Sequence, residues 1–476
     1  LREHIYGELS PTARRLLHAR VAEALEALAT DDGADLSTLS LQLADHYERA
    51  GRSDHAIPHL LRAGEAANRM YANTEALRVS ERALALLTDR ATGRIRRQAP
   101  WETVTQAYTL HGDILAQIGR YQEAIHAYQE ALTHLPEQAE QISRAALHRR
   151  LAITWNQAST HPHLTYRDAA RQQFQAAEDA LTQVEDPSNP HWRQEWLALQ
   201  FARIWPLSSS ADDMTAAIEK ARPIVEMYGT AEQREFLRYA VATRNFIRQR
   251  FITSAAEIER FPARREGIAA IERGADKQKL GQYLLAFGVT LLFAFEVASH
   301  LDEACEHLEH ALRVAEEMGN TSLQTRCLTF LPFVFRYRGD IERMRQVLIR
   351  AETAGACQDN QILMGQRAWL AWREGCLDEA ETLGRLALTV DPRQPESSAF
   401  QWVARWPLIG IALARSQSAA AIADARPLLD PSQQPPPECL RVRIEAALHA
   451  WDAGQEAEAL ALLRDAADAA TELGYL

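Results

Sequence analysis

Lysine is almost missing from this chain. Three of 476 residues are lysine, Lys220, Lys277 and Lys279, and no stretch forms a basic block. The formal net charge is −12 and the pI is near 5.8. Neutralising phosphates takes clustered lysine or arginine, so direct contact with nucleic acid is not expected. Cysteine is scarce as well: Cys305, Cys327, Cys357, Cys376 and Cys439, an odd number with no C-x-x-C among them. That excludes a disulfide framework and points to a reduced, cytoplasmic protein. The most apolar run, Leu284 to Phe295, is too short to span a bilayer and ends at Glu296, so no membrane partner is expected. None of the three lysines follows a glycine, which excludes a G-x4-G-K-[ST] phosphate loop within the chain, and no G-x-S-x-G occurs. No strand-like alternation appears either. The sequence reads as all-α.

What is present is a repeat. Residues Tyr108 to Pro136 read YTLHGDILAQIGRYQEAIHAYQEALTHLP. Tyr108, His111, Gly112 and Leu115 take the large, apolar, small and large places of one helix. Gly119 ends that helix. Tyr121, Ala124, Tyr128 and Ala131 share a face of the next, and Pro136 closes it. Gly112, Ala124 and Ala131 are expected where two helices cross closely, with aromatics filling the gaps between layers. This is the spacing of a tetratricopeptide repeat, with His111 in place of the usual leucine. One hairpin cannot bury its apolar face alone, so such hairpins stack. The fold class expected is an all-α, tetratricopeptide-like helix-hairpin solenoid, a right-handed superhelix of roughly ten or eleven repeats.

Four segments are expected. Residues 1–35 form a helical junction in which Ser10-Pro11 opens a helix. Residues 36–185 form an N-terminal repeat block, whose first hairpin is read from Ala44, Tyr47, Gly51, Ala56, Leu60 and Ala63. Residues 186–281 hold divergent helical repeats, and residues 282–476 a C-terminal block. Several second helices end alike, in AEEMGN, AETAGA and ATELGY, the mark of a glycine C-cap. The chain opens on Leu1 and stops in ATELGYL with a repeat in progress, so both ends are expected to be cuts in a longer protein.

Two segments go beyond a generic repeat: LREHIYGELSPTARRLLHARVAEALEAL, and LADHYERAGRSDHAIPHLLRAGEAANRMYANTEALRVSERALALL. Through Leu9, Ser10, Arg15, His18, Ala22, Leu25, His46, Tyr47, Gly51, Ala63, Gly64, Ala67 and Ala76, roughly the first fifth of the chain resembles the junction of signal-transduction ATPases with numerous domains. There a nucleotide-binding and winged-helix part hands over to repeats, as in MalT-like and antibiotic-regulatory transcriptional activators. The resemblance implies a sensor region that binds an effector or partner protein and controls an ATPase lying upstream of Leu1. It implies no cofactor in this chain. The alternative is a free-standing assembly platform with no ATPase attached.

The candidate binding residues form an aromatic and arginine stripe on first helices, which line the concave groove in such repeats. With Gly339 and Gly375 setting the register, Phe333, Arg336 and Tyr337 fall on one unit, and Trp369, Trp372 and Arg373 on the next. Trp406 and Trp451 follow by the same counting. Trp, Tyr and Arg dominate binding energy when a partner buries them; the plainer reading is packing between helices. The expected occupant is a protein, a peptide or a small-molecule effector. Glu303, His307 and His310 share a helix face but lack a fourth ligand, so no metal is expected. His161-Pro162-His163 reads as a loop, and Asp212-Asp213 as a helix cap. A third reading, an enzyme using residues 186–281, finds no acid, base and nucleophile together.

Overall fold

The structure, a computed structural model, describes residues 6, 9–31, 36–89, 91–137, 140–158, 166–204, 211–253, 258–273, 277–294, 297–355, 360–389 and 397–476. His161, His163, Cys357 and Pro392 lie outside the described residues. The described chain is all-α apart from two isolated bridges, Thr88 with Ile95 and Thr253 with Ala294. It divides into two compact units, one of Leu1–Ser159 with Leu164–Leu199 and one of Gln200–Leu476. The division falls inside the segment expected to hold divergent repeats.

Unit 1 contains α1 (Pro11–Asp31), α2 (Leu36–Ala50), α3 (Ser53–Arg69), α4 (Asn73–Leu87), α5 (Trp101–Gln117), α6 (Tyr121–His134), α7 (Gln141–Ala158), α8 (Tyr166–Gln183) and the start of α9 (Pro190–Ile204). Each packs on its successor up to α8, and α3, α5 and α7 also pack on one another in turn. That second set of contacts identifies α3, α5 and α7 as the first helices of successive hairpins. The hairpin expected around Gly51 is present, since α3 packs on α2 as well as on α4, and α3 also serves as the first helix of the next hairpin. Gly64 lies where α3 meets α5. A Cβ there would stand 2.9 Å from Leu110. The junction segment belongs to this unit, since Ala22 and Leu25 of α1 pack with Leu43 and Tyr47 of α2.

Gly112 shows why small residues recur. A Cβ at that position would stand 2.6 Å from the ring of Tyr128. The Tyr128 hydroxyl donates to Asp113 Oδ1 at 2.7 Å, and Arg150 of α7 donates Nε to the same oxygen at 2.9 Å. One carboxylate thus fixes three helices, and burial pushes the phenol well above its usual range. His111, in the place usually held by leucine, meets the Ser80 hydroxyl at 3.0 Å. Gly112→Val is expected to force α5 and α6 apart and cost about 1–3 kcal/mol, read as a lower urea midpoint. No loss of stability would contradict this crossing.

Unit 2 contains α10 (Ala211–Tyr228), α11 (Ala231–Arg248), α12 (Phe261–Arg273), α13 (Lys277–Leu292), α14 (Val297–Met318), α15 (Thr321–Arg338), α16 (Ile341–Thr353), α17 (Gln361–Arg373), α18 (Leu377–Ala387), α19 (Trp402–Ala414), α20 (Ser418–Ala425), α21 (Glu438–Asp452) and α22 (Glu456–Glu472). Helix starts and stops are locally encoded. Asn320, Asp340 and Asn360 accept backbone N–H groups at the starts of α15, α16 and α17. Gly319, Gly339, Gly355, Gly375 and Gly474 adopt the left-handed conformation at helix ends. First helices again stack on one another, α13 on α15, α15 on α17, α17 on α19. The series then changes: α19 packs on α22, a second helix.

Candidate functional site

The stripe read from sequence converges, in part, on one side chain. Arg336 of α15 is 0% exposed. Its Nη1 donates to the Val403 carbonyl at 2.9 Å and to Gln366 Oε1 at 3.2 Å, and its Nη2 donates to the Tyr475 carbonyl. The guanidinium lies over Trp369 and Trp402, 5.4 and 5.0 Å from the ring centroids. No carboxylate pairs with it among the described residues. Burial therefore pulls its pKa down to about 9, which still leaves it charged at neutral pH.

Phe333, Trp369 and Trp406 are also 0% exposed. Tyr337 is half-buried, and its hydroxyl pairs with that of Tyr475. Arg373 is exposed, with its guanidinium 5.2 Å from the Trp369 ring and a 3.4 Å hydrogen bond to the Leu476 main-chain oxygen. Trp372 is turned elsewhere. It packs on Gly410 of α19, where a Cβ would stand 2.8 Å from its ring, and on the Ala371, Ala380 and Ile411 cluster between helices. Trp451 is half-buried on α21 and joins none of the described ring contacts around Arg336. It misses them because α22, not α21, meets α19. Trp406 lines a small gap with Trp402, Gln434 and Tyr475.

Sequence reasoning missed Trp402, Gln366 and Tyr475. Trp402 stands four residues before Trp406, so the helical spacing carried a signal for it. Gln366 and Tyr475 carried none. A column of rings runs along this face of unit 2: Phe293 to Phe333 at 5.4 Å, Phe333 to Trp402 at 5.6 Å, Trp402 to Tyr475 at 4.6 Å. Two stretches of main chain lie against it. One is residues 433–434, where Gln434 donates to the Phe251 carbonyl and accepts from Trp402 Nε1. The other is residues 474–476.

Unit 2 also holds a cavity of about 40 Å³, room for roughly three waters. Tyr239, Thr243, Arg264, Thr290 and Arg326 line it among apolar side chains. Burial pushes Tyr239 up and pulls Arg326 down. No carboxylate, histidine, cysteine or serine is among its described lining residues. Glu303 and His307 sit 3.7 Å apart. No group of three or more potential metal ligands occurs among the described residues, and no described helix is long and apolar enough to cross a membrane.

In unit 1 the first helices present a polar ladder. Gln106 of α5 donates to Glu65 of α3 at 3.0 Å, Gln117 of α5 to Asn73 at 2.7 Å, and Arg149 of α7 to Glu195 of α9 at 2.5 Å. At its N-terminal joint, His18 and His46 face each other through their Nδ1 atoms at 2.9 Å, and the Tyr6 hydroxyl reaches His18 Nε2 at 2.8 Å. Only one of two facing nitrogens can carry a hydrogen. Burial, then the facing histidine and Arg49, lower His18; burial and Arg49 lower His46 against an opposing pull from Asp45; burial and Arg62 lower His59 against Glu26. Histidines whose folded pKa lies below the unfolded value contribute stability above about pH 6.5, and that contribution is lost as pH falls below it. The protection factors of amides in α1 to α3 are therefore expected to fall as pH is lowered from about 7.5 to about 5.5. His46→Gln should flatten that dependence; an unchanged profile would remove the histidine joint as its cause.

A tetratricopeptide-repeat family model matches residues 105–133, which fall on α5 and α6. Among solved structures, the chain is similar to one titled the crystal structure of APC/C hetero-tetramer Cut9-Hcn1, at 14% identity over 95% of this chain and 93% of that one. The TM-score is 0.32, too low to carry weight. No curated protein matches.

Proposed function

We propose that this chain is a non-catalytic interaction scaffold that receives a protein or peptide along the faces formed by its first helices. The observation that carries this reading is the stacking of first helices on one another in each unit, which lines up side chains from successive hairpins on one continuous wall. The tetratricopeptide match on α5 and α6 supports it. Photo-crosslinking suits a chain with three lysines. A photoreactive residue at Gln106, on the first-helix wall, should capture a partner in the native host, and one at Gln129, on the second helix α6, should not. Capture at Gln129 alone would overturn the assignment of the wall.

Within that reading, the chain serves as the sensor region of a multidomain signal-transduction ATPase or transcriptional regulator. The N-terminal residues that resemble such a junction support this, and α1 packs on the repeats as a hand-over helix would. The coding sequence before Leu1 tests it: a G-x4-G-K-[ST] segment followed by a winged helix is expected. Its absence would favour a free-standing platform.

A further inference from the structure

The cage around Arg336 is short of acceptors. Three buried donors in it have no partner among the described residues: Arg336 Nε, Gln366 Nε2 and Trp369 Nε1. Buried polar groups are nearly always satisfied, and each orphan calls for an explanation. The turn after α22 satisfies the cage only in part. It lends the Tyr475 carbonyl to Arg336 and the Leu476 oxygen to Arg373, and sets the Tyr475 ring at a tilt against Trp402. The approach is close at Gly474, where a Cβ would stand 2.6 Å from the Tyr337 Cα. A buried cation that has neutral carbonyls but no carboxylate is complementary to an acid.

We infer that this face of unit 2 is a docking site for a partner peptide that presents an aromatic side chain next to a carboxylate, and that residues 474–476 occupy it in cis as an incomplete stand-in. The incoming ring takes the place of Tyr475 on Trp402. The incoming carboxylate accepts from the Arg336 guanidinium and the orphaned Gln366 and Trp369 donors. Arg373, exposed at the rim, adds a second cation. The inference rests on the scaffold reading and names the partner's chemistry. Because the turn is tethered at an effective concentration in the millimolar range, it masks the face from weak competitors.

The test uses the full chain with Tyr475→Ala and Leu476→Ala, which remove the ring that lies on Trp402 and loosen the turn, and leave Arg336, Gln366 and Trp369 intact. Two fluorescein-labelled, C-amidated peptides serve as probes, Gly-Tyr-Leu-Gly and Asp-Tyr-Leu-Gly. The acidic peptide is expected to bind the double variant about tenfold or more tighter than it binds the wild type. It should also outbind the neutral peptide and weaken as salt rises. In the wild type, a high concentration of the acidic peptide should displace the Tyr475 ring from Trp402, read as a shift of its ring resonances in tyrosine-labelled chain, a readout that does not depend on the variant folding. Equal affinity for the two peptides, or equal affinity of variant and wild type, would overturn the inference. So would peptide binding that leaves the Tyr475 ring resonances unmoved. Failure of the inference would leave the Gln106 crosslink unaffected, so the scaffold reading is tested separately.

Discussion

Trp369→Ala is expected to lower the stability of unit 2 by roughly 3–5 kcal/mol, the range for removing a fully buried large aromatic. Trp372→Ala should cost clearly less, roughly 1–2 kcal/mol. The two tryptophans are three residues apart on α17 and were read from sequence as equivalent wall residues. Trp369 is 0% exposed and holds two guanidinium groups against its ring, from Arg336 and Arg373. Trp372 is half-buried and shares its contact with Gly410. Urea unfolding followed by far-ultraviolet circular dichroism measures both. A Trp369→Ala midpoint within error of the wild type would mean that the cage around Arg336 is not packed as described.

The second large effect is Arg336→Ala, expected at roughly 3–5 kcal/mol. It opens a cavity and orphans the Val403 and Tyr475 carbonyls together with Gln366 Oε1. Arg336→Met restores much of the volume and removes a buried charge without supplying donors, so it should recover roughly half of that loss. The order Ala, then Met, then wild type in unfolding midpoint is the signature of a cation held by main-chain acceptors. If Met were as damaging as Ala, the hydrogen bonds alone would set the cost. If Ala were harmless, Arg336 would not hold the turn at 474–476.

Much of the architecture was legible because it is written locally. Glycine closes α15, α17 and α22 in the left-handed conformation, and Asn320, Asp340 and Asn360 open helices with their side chains. The Gly112 and Tyr128 pair is readable from spacing because the two residues belong to one hairpin. Which helix begins a hairpin was less legible. The turns at Gly51 and Gly119 look alike, both left-handed glycines; that α3 serves two successive hairpins shows only in its added contact with α5. The convergence of several of these side chains was legible, and their burial was not. Spacing from Gly339 and Gly375 brought Phe333, Arg336, Tyr337 and Trp369 to one face. Their burial depends on Gln434 and Tyr475, which arrive from far along the chain, and no local pattern reports such a visitor. Trp451 stands apart from this cluster for a related reason: the break through Arg426–Leu429 and the prolines 435–437 changes the phase of the last hairpin.

The bond from Arg336 to the Tyr475 carbonyl spans 139 positions. In a stack where each hairpin touches only its neighbours, hairpins can peel away one at a time. This tie instead buckles α15 to α22 into a ring, and the ring cannot open at one hairpin without releasing the clasp. Unzipping should therefore be suppressed across that stretch, with α15 to α22 lost in one cooperative step, while unit 1 keeps whatever stepwise character its neighbour contacts allow.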